Sequence, residues 1–146
     1  MIYKPKGFQL QELIPKLEYE NYSQIYSENQ LWGIFDNRAL WTLEQLKRRY
    51  NTTILNDYLW GGINQYRGWR PSDCKIGALL SQHKFARAFD CKFKDYPAEE
   101  VREDIKKRPF DEAFKHITCV EDGTSWLHFD CRGWDKQRYG LLIVIG

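Results

Sequence analysis

The chain has 146 residues, enough for one domain with its own buried core over residues 1–146 and too few for two. Its 22 basic and 20 acidic residues leave a net charge of +2, so charge alone gives no reason to expect binding to nucleic acid or a membrane surface. Aromatics make up 16% and charged residues 29%, which excludes a disordered composition, and no apolar run approaches the roughly 20 residues that span a bilayer.

In chain order, the first twenty residues hold no apolar signal-peptide core, so any export is expected to use another route. Residues 8–20 carry apolar side chains at Phe8, Leu10, Leu13 and Ile14, which predicts one or two helical turns stopped near Pro15. Residues 36–50 predict the best helix. Leu40, Leu43, Leu46 and Tyr50 recur every three or four positions, and Asp36 or Asn37 can cap its start. Residues 52–56 favour a short strand. Residues 59–73, rich in Gly, Trp and Arg, read as a long loop, a feature that in a compact domain tends to carry function. Residues 85–93 alternate as a strand. Residues 97–108 predict a second helix, with Pro97 in its first turn, acids leading, bases trailing and Pro109 ending it. Residues 114–121 and 126–131 read as a β-hairpin around Asp122-Gly123-Thr124-Ser125, and residues 141–146 as a last apolar strand. The pattern is α+β: helices first, then a small, mostly antiparallel sheet.

Cys74, Cys91, Cys119 and Cys131 form no Cys-x-x-Cys pair, which excludes a zinc ribbon or thioredoxin motif. Reduced, buried thiols are expected, with a Cys119–Cys131 disulfide as the alternative. Lys106-Lys107-Arg108 fits a solvated helix end that complements the dipole. Arg67 and Arg70 with Tyr66 and Trp69 could mimic a nucleic-acid patch, but the balanced charge argues against one. Trp60, Trp69, Trp126 and Trp134 are either core and rim residues or the lining of a cleft for a sugar or peptide. Only Trp69 and Trp126 adjoin the segments that carry chemistry.

Those segments are Gly68-Trp69-Arg70-Pro71, Ser81 to Asp90, and Trp126 to Asp130. His83 and Asp90 are seven residues apart, and His128 lies on a distant predicted strand. Two imidazoles and one carboxylate suit zinc, and three protein ligands leave one tetrahedral position open, the mark of a catalytic site. Zinc there brings the pKa of a water toward ~7. By spacing alone, a packed or surface histidine remains the simpler account.

Ser81-x-His83-x-x-Ala86-x-Ala88-x-Asp90 resembles the S-x-H-x-x-G-x-A-x-D motif of the M15 zinc peptidases. This is the D-Ala-D-Ala carboxypeptidase and L-alanyl-D-glutamate endopeptidase group, which shares its fold with the Hedgehog signalling domain. Trp126-Leu127-His128-Phe129-Asp130-Cys131-Arg132 resembles the W-x-H-x-D-x-R motif of many phage-encoded members. Gly68-Trp69-Arg70-Pro71 resembles the G-Y-R-S segment upstream, and Phe8 to Pro15 is similar to the opening of phage-type members. The resemblance runs from about residue 8 to residue 132, with the motifs in order.

It implies a Hedgehog/D-Ala-D-Ala-peptidase-like α+β fold with helices flanking the sheet. It makes His83, Asp90 and His128 the zinc ligands. Arg70 would grip a substrate carbonyl or carboxylate through its planar fork. Ser81 would orient the ligand loop or the substrate, and Trp126, by adjacency, would line the substrate site. The implied activity is zinc-dependent hydrolysis of a peptide bond in peptidoglycan stem peptides, by a carboxypeptidase or an endopeptidase. The implied carrier is a bacteriophage or bacterium. The protein would be made in the cytoplasm and reach the wall after lysis, holin-type release or particle delivery.

The sequence departs from the family twice. Ala86 replaces a glycine, at the expense of one methyl of space. Ser125 stands where many members carry the general base, three residues before the last histidine. The hairpin offers Glu121 instead. With an even loop, 122–123 or 122–125, Glu121 shares a face with Trp126, His128 and Asp130. In the longer case it lies diagonal to His128, about 7–8 Å away at the backbone. The Hedgehog domain resembles this arrangement, with its glutamate several residues before the last zinc histidine. An odd loop would favour Asp122. Asp130 is either a partner that fixes an imidazole tautomer or a solvent-facing carboxylate. Cys119 falls near His128 as a buried thiol or, alternatively, a ligand. His116 falls on the opposite face and is read as structural. A rival reading is a catalytically inactive M15-like binding or structural module, as in a virus particle, and a second is a metal-free relic.

Overall fold

The computed structural model describes residues 1–146. The apolar run before Pro15 forms a single 3-10 turn, Leu10–Glu12, as expected, and the departure is helix α1 (Lys16–Tyr22), which begins at the residue after the proline. Proline's fixed φ, here −59°, and its missing N–H suit a helix start as well as they stop one. Helix α2 (Glu28–Trp32) was not expected, although Ser27 and Gln30 form a reciprocal capping box. Helix α3 (Asn37–Tyr50) is the predicted one. The Asp36 carboxylate caps it by accepting from Arg38 N, and Leu40, Leu43 and Leu46 are fully buried. Each such leucine contributes about 1.5–3 kcal/mol.

Five strands follow: β1 (Thr53–Ile54), β2 (Ala88–Phe93), β3 (Cys119–Asp122), β4 (Leu127–Asp130) and β5 (Leu142–Ile145). They form one mixed sheet in the order β1-β2-β4-β3-β5, antiparallel except where β3 runs parallel to β5. The architecture is α+β, but helices and strands interleave: α4 (Ala98–Lys107) lies between β2 and β3 in the chain, with Val101 and Ile105 buried, and the short α5 (Lys136–Tyr139) precedes β5. Strand β2 starts at Ala88 rather than residue 85, because Gln82–Phe85 is a 3-10 turn capped by Ser81. Strand β3 starts at Cys119 rather than residue 114, after a second 3-10 turn, Glu112–Phe114, capped by Asp111.

Alternation along the central strands sorts the sheet into two faces. Phe89, Cys91, Leu127, Phe129 and Val120 belong to the hydrophobic core that includes α3 and α4 residues. Asp90, His128 and Asp130 alternate with them and point to the other face. The hairpin register pairs Cys119 with Asp130 and Val120 with Phe129. Its connection is therefore 123–126, one residue later than predicted, because Asp122 stays in β3 beside Ile145 of β5. The loop is still even, and Glu121 falls directly opposite His128 rather than diagonal to it. All four cysteines are free thiols, so Cys119 and Cys131 are not bridged.

Candidate metal centre

The site is assembled from three places. His83 sits in the 3-10 turn before β2, Asp90 in β2 and His128 in β4, where Asp90 and His128 are direct cross-strand partners. Asp90 Oδ1 lies 3.3 Å from His83 Nε2 and 3.0 Å from His128 Nδ1. Zinc bonds of about 2.0–2.1 Å at tetrahedral angles place donor atoms roughly 3.3 Å apart. Both distances from Asp90 Oδ1 thus suit neighbouring corners of such a site, and all three ligand atoms fall within 4.8 Å of one another. The group could hold a metal ion and is compatible with zinc.

Each donor is oriented from behind. His83 Nδ1 contacts the Gly68 carbonyl at 2.8 Å, which leaves Nε2 for a ligand. Gly68 is held in turn against the N-terminal segment: Trp69 N donates to Leu13 O, and a side chain at 68 would press on the Leu13 backbone. His128 Nε2 contacts Asp130 Oδ2 at 2.8 Å, which leaves Nδ1 for a ligand. Asp130 is fully buried, so it is a partner of the imidazole and not a solvent-facing carboxylate. Arg132 grips Asp130 in turn, with Nε and Nη2 donating to its two oxygens at 2.8 and 2.6 Å.

Charge follows from these contacts. Burial pushes the Asp90 carboxyl up, but hydrogen bonds from His128 and His83 outweigh it and hold it well below the usual range. Burial works against a charged His128, yet Asp130 and Asp90 lift it to about 9. Burial likewise raises Asp130, and Arg132 and His128 bring it below its ordinary value. A metal ion and a proton compete here for the same lone pair of His128.

The other predicted residues surround a cavity of about 380 Å³ above this set, lined by Arg70, Ser81, Glu121, Trp126 and Arg132 with the three donors. Glu121 Oε2 lies 3.6 Å from His128 Nδ1 but outside the ligand set. Asp122, the alternative base, instead pairs with Lys106, and Ser125 is exposed in the loop. Trp126, with Arg70, Ile76 and Asp90, also lines a second cavity of about 290 Å³ against residues 63–67. Ser81 Oγ accepts from His83 N and so fixes the turn that carries the ligand. Arg70 is 8% exposed and already engaged: Nε donates to Tyr66 O, Nη1 to Ile76 O and Nη2 to Asp90 Oδ2. Its first task is to hold Asp90. His116 packs edge-on against Trp41, away from the site.

Two features were not anticipated. Ala86 has φ +55°, a left-handed conformation that ends the His83 turn. Such a conformation costs an alanine roughly 1–2 kcal/mol. Burial of its methyl, about 0.8 kcal/mol, offsets part of that cost. Arg102 on α4 is fully buried and donates through Nη2 to Thr124 O, Thr124 Oγ1 and Trp126 O, bracing the loop between Glu121 and His128. Its amphipathic position in α4 gave no sign of this.

Fold and site together define an α+β protein with a buried His-Asp-His centre at the floor of an open cleft. Comparison with family models, curated proteins and solved structures found no match to this chain.

Proposed function

We propose that this chain is a zinc-dependent peptidase of peptidoglycan stem peptides, with an M15-type, Hedgehog/D-Ala-D-Ala-peptidase-like fold. The observation that carries the reading is the convergence of His83 Nε2, Asp90 Oδ1 and His128 Nδ1 beside a glutamate that is not itself in the ligand set. Zinc, when bound, supplies Lewis-acid polarisation and a water of lowered pKa. Glu121 takes a proton from the attacking water and delivers it to the leaving amine. Arg70 holds Asp90 and offers its remaining N–H groups to charge that develops on the substrate carbonyl. Ser81 keeps the His83 turn in place, and Trp126 walls the cleft.

A second reading, an inactive binding or structural module that keeps zinc for stability, is favoured by Ser125 at the usual position of the base. One experiment separates the two: metal content of native protein beside His83→Ala, then stem-peptide digestion by native protein and Glu121→Gln. About one zinc per chain, lost in His83→Ala, with digestion lost in Glu121→Gln, supports the peptidase. Zinc with no digestion by either protein supports the module. No zinc in the native protein overturns both.

A further inference from the structure

The cleft above the donor set is lined by two arginines, and they are not equivalent. Every guanidinium nitrogen of Arg70 has a protein acceptor. Arg132 is pinned along one edge only, Nε and Nη2 to the buried Asp130, and Nη1 has no acceptor in the protein. Its side chain is 25% exposed, against 10% for Arg70. A guanidinium held along one edge by a buried carboxylate has already lost most of its rotamer freedom. Its other edge then offers two parallel N–H groups at little further entropic cost, in the geometry that fits a carboxylate.

We infer that the Nη1–Nη2 edge of Arg132 recognises a carboxylate of the bound peptide, an inference that rests on reading the cleft as a stem-peptide site. The carboxylate is either the C-terminal one or an internal one. Arg132 is thereby a specificity-determining residue as well as the brace of Asp130.

The test is calorimetric titration of zinc-loaded protein with the stem peptide L-Ala-γ-D-Glu-L-Lys-D-Ala. Two analogues replace either the C-terminal carboxylate or the glutamate α-carboxylate with a carboxamide. A Glu121→Gln background prevents turnover, and zinc content is measured in every variant. One analogue is expected to bind about 10- to 100-fold more weakly than the parent, the size of a charge-assisted hydrogen bond, and its identity names the carboxylate. Adding Arg132→Gln should bring the parent down to that analogue and leave the analogue unchanged, while Arg132→Lys recovers part of the difference. Equal binding of all three peptides, or none, overturns the inference. So does a preference that persists in Arg132→Gln, which would belong to the metal, or an equal loss for parent and analogue, which would make Arg132 only a brace. Turnover is read separately with native Glu121. Arg132-dependent preference without cleavage counts against the peptidase reading alone, and cleavage without that preference counts against this inference alone.

Discussion

Zinc is expected to raise the melting temperature of the native protein, and His83→Ala is expected to abolish that rise and not merely lower its baseline. The imidazole is 2% exposed and its Nδ1 meets the Gly68 carbonyl at 2.8 Å. Removing it leaves that buried carbonyl without its partner, a loss of about 1–3 kcal/mol that is present with or without metal. The metal contribution is separate. A ligand that binds only the folded state at a hundredfold excess over its Kd adds about 2.7 kcal/mol. For a chain of 146 residues, each kcal/mol moves Tm by roughly 4 °C, so zinc is worth about 10 °C. Four thermal melts followed by circular dichroism, native and His83→Ala, each with chelator and with zinc, resolve the two terms. Native protein should gain about 10 °C on zinc addition; His83→Ala should start lower in chelator and gain nothing. A native Tm that does not move between chelator and excess zinc, or an equal gain in both proteins, refutes the donor geometry as a metal site.

Glu121→Gln should lower stem-peptide hydrolysis by about 10²–10⁴-fold with zinc content unchanged; loss of the metal instead would make Glu121 a ligand. Arg102→Met should cost roughly 1–3 kcal/mol in urea unfolding, because Thr124 O and Trp126 O lose their shared donor. The buried Arg102 Nε, which has no acceptor, offsets part of that loss, and an unchanged midpoint would remove Arg102 as the brace of the loop. Gly68→Ala should destabilise by about 1–3 kcal/mol, since its new Cβ would sit 2.7 Å from Leu13 Cα, which is backbone and cannot turn aside; an unaffected Tm would contradict that packing. Among the thiols, only the half-buried Cys74 should react quickly with a thiol reagent in native protein. Burial pushes Cys119 and Cys131 from 9 up to about 12. Their contribution is full below pH 9 and is lost as pH rises from about 9 to 12, because only the unfolded chain then ionises. The urea midpoint should fall across that window, and less steeply in Cys131→Ala.

Helix α3 could be read from the chain because Leu40, Leu43, Leu46 and Tyr50 keep a helical spacing over nearly three turns and its cap stands at the right place. The two-residue period of β2 and β4 was equally legible, and it puts Asp90 and His128 on one face. Parity was enough to bring Glu121 to that face, but the register came out one step different, because whether Asp122 ends β3 is decided by β5, far along the chain. The 3-10 turns at Gln82–Phe85 and Glu112–Phe114 are too short to show a period, so the sequence pattern carries both neighbouring strands too far toward the N-terminus. Alanine at position 86 hides a left-handed residue that glycine would have announced. The engagement of Arg70 depends on Tyr66, Ile76 and Asp90 meeting in space, which no local pattern encodes. The Asp130-x-Arg132 spacing did hold a signal: alternate residues of an extended segment share a face.

The cross-strand pairing of Asp90 with His128 also orders events in time. The two residues are separated by 38 positions, so the third donor arrives only after a long loop has closed and β4 has docked on β2. A chain that has formed only the His83–Asp90 half offers two donors and holds metal weakly. Interactions completed that late stabilise the native state more than the folding transition state, so they slow unfolding and leave the folding rate nearly unchanged. A metal ion held at this centre would therefore govern how long the fold lasts once made, and its removal would shorten that lifetime without making the fold harder to reach.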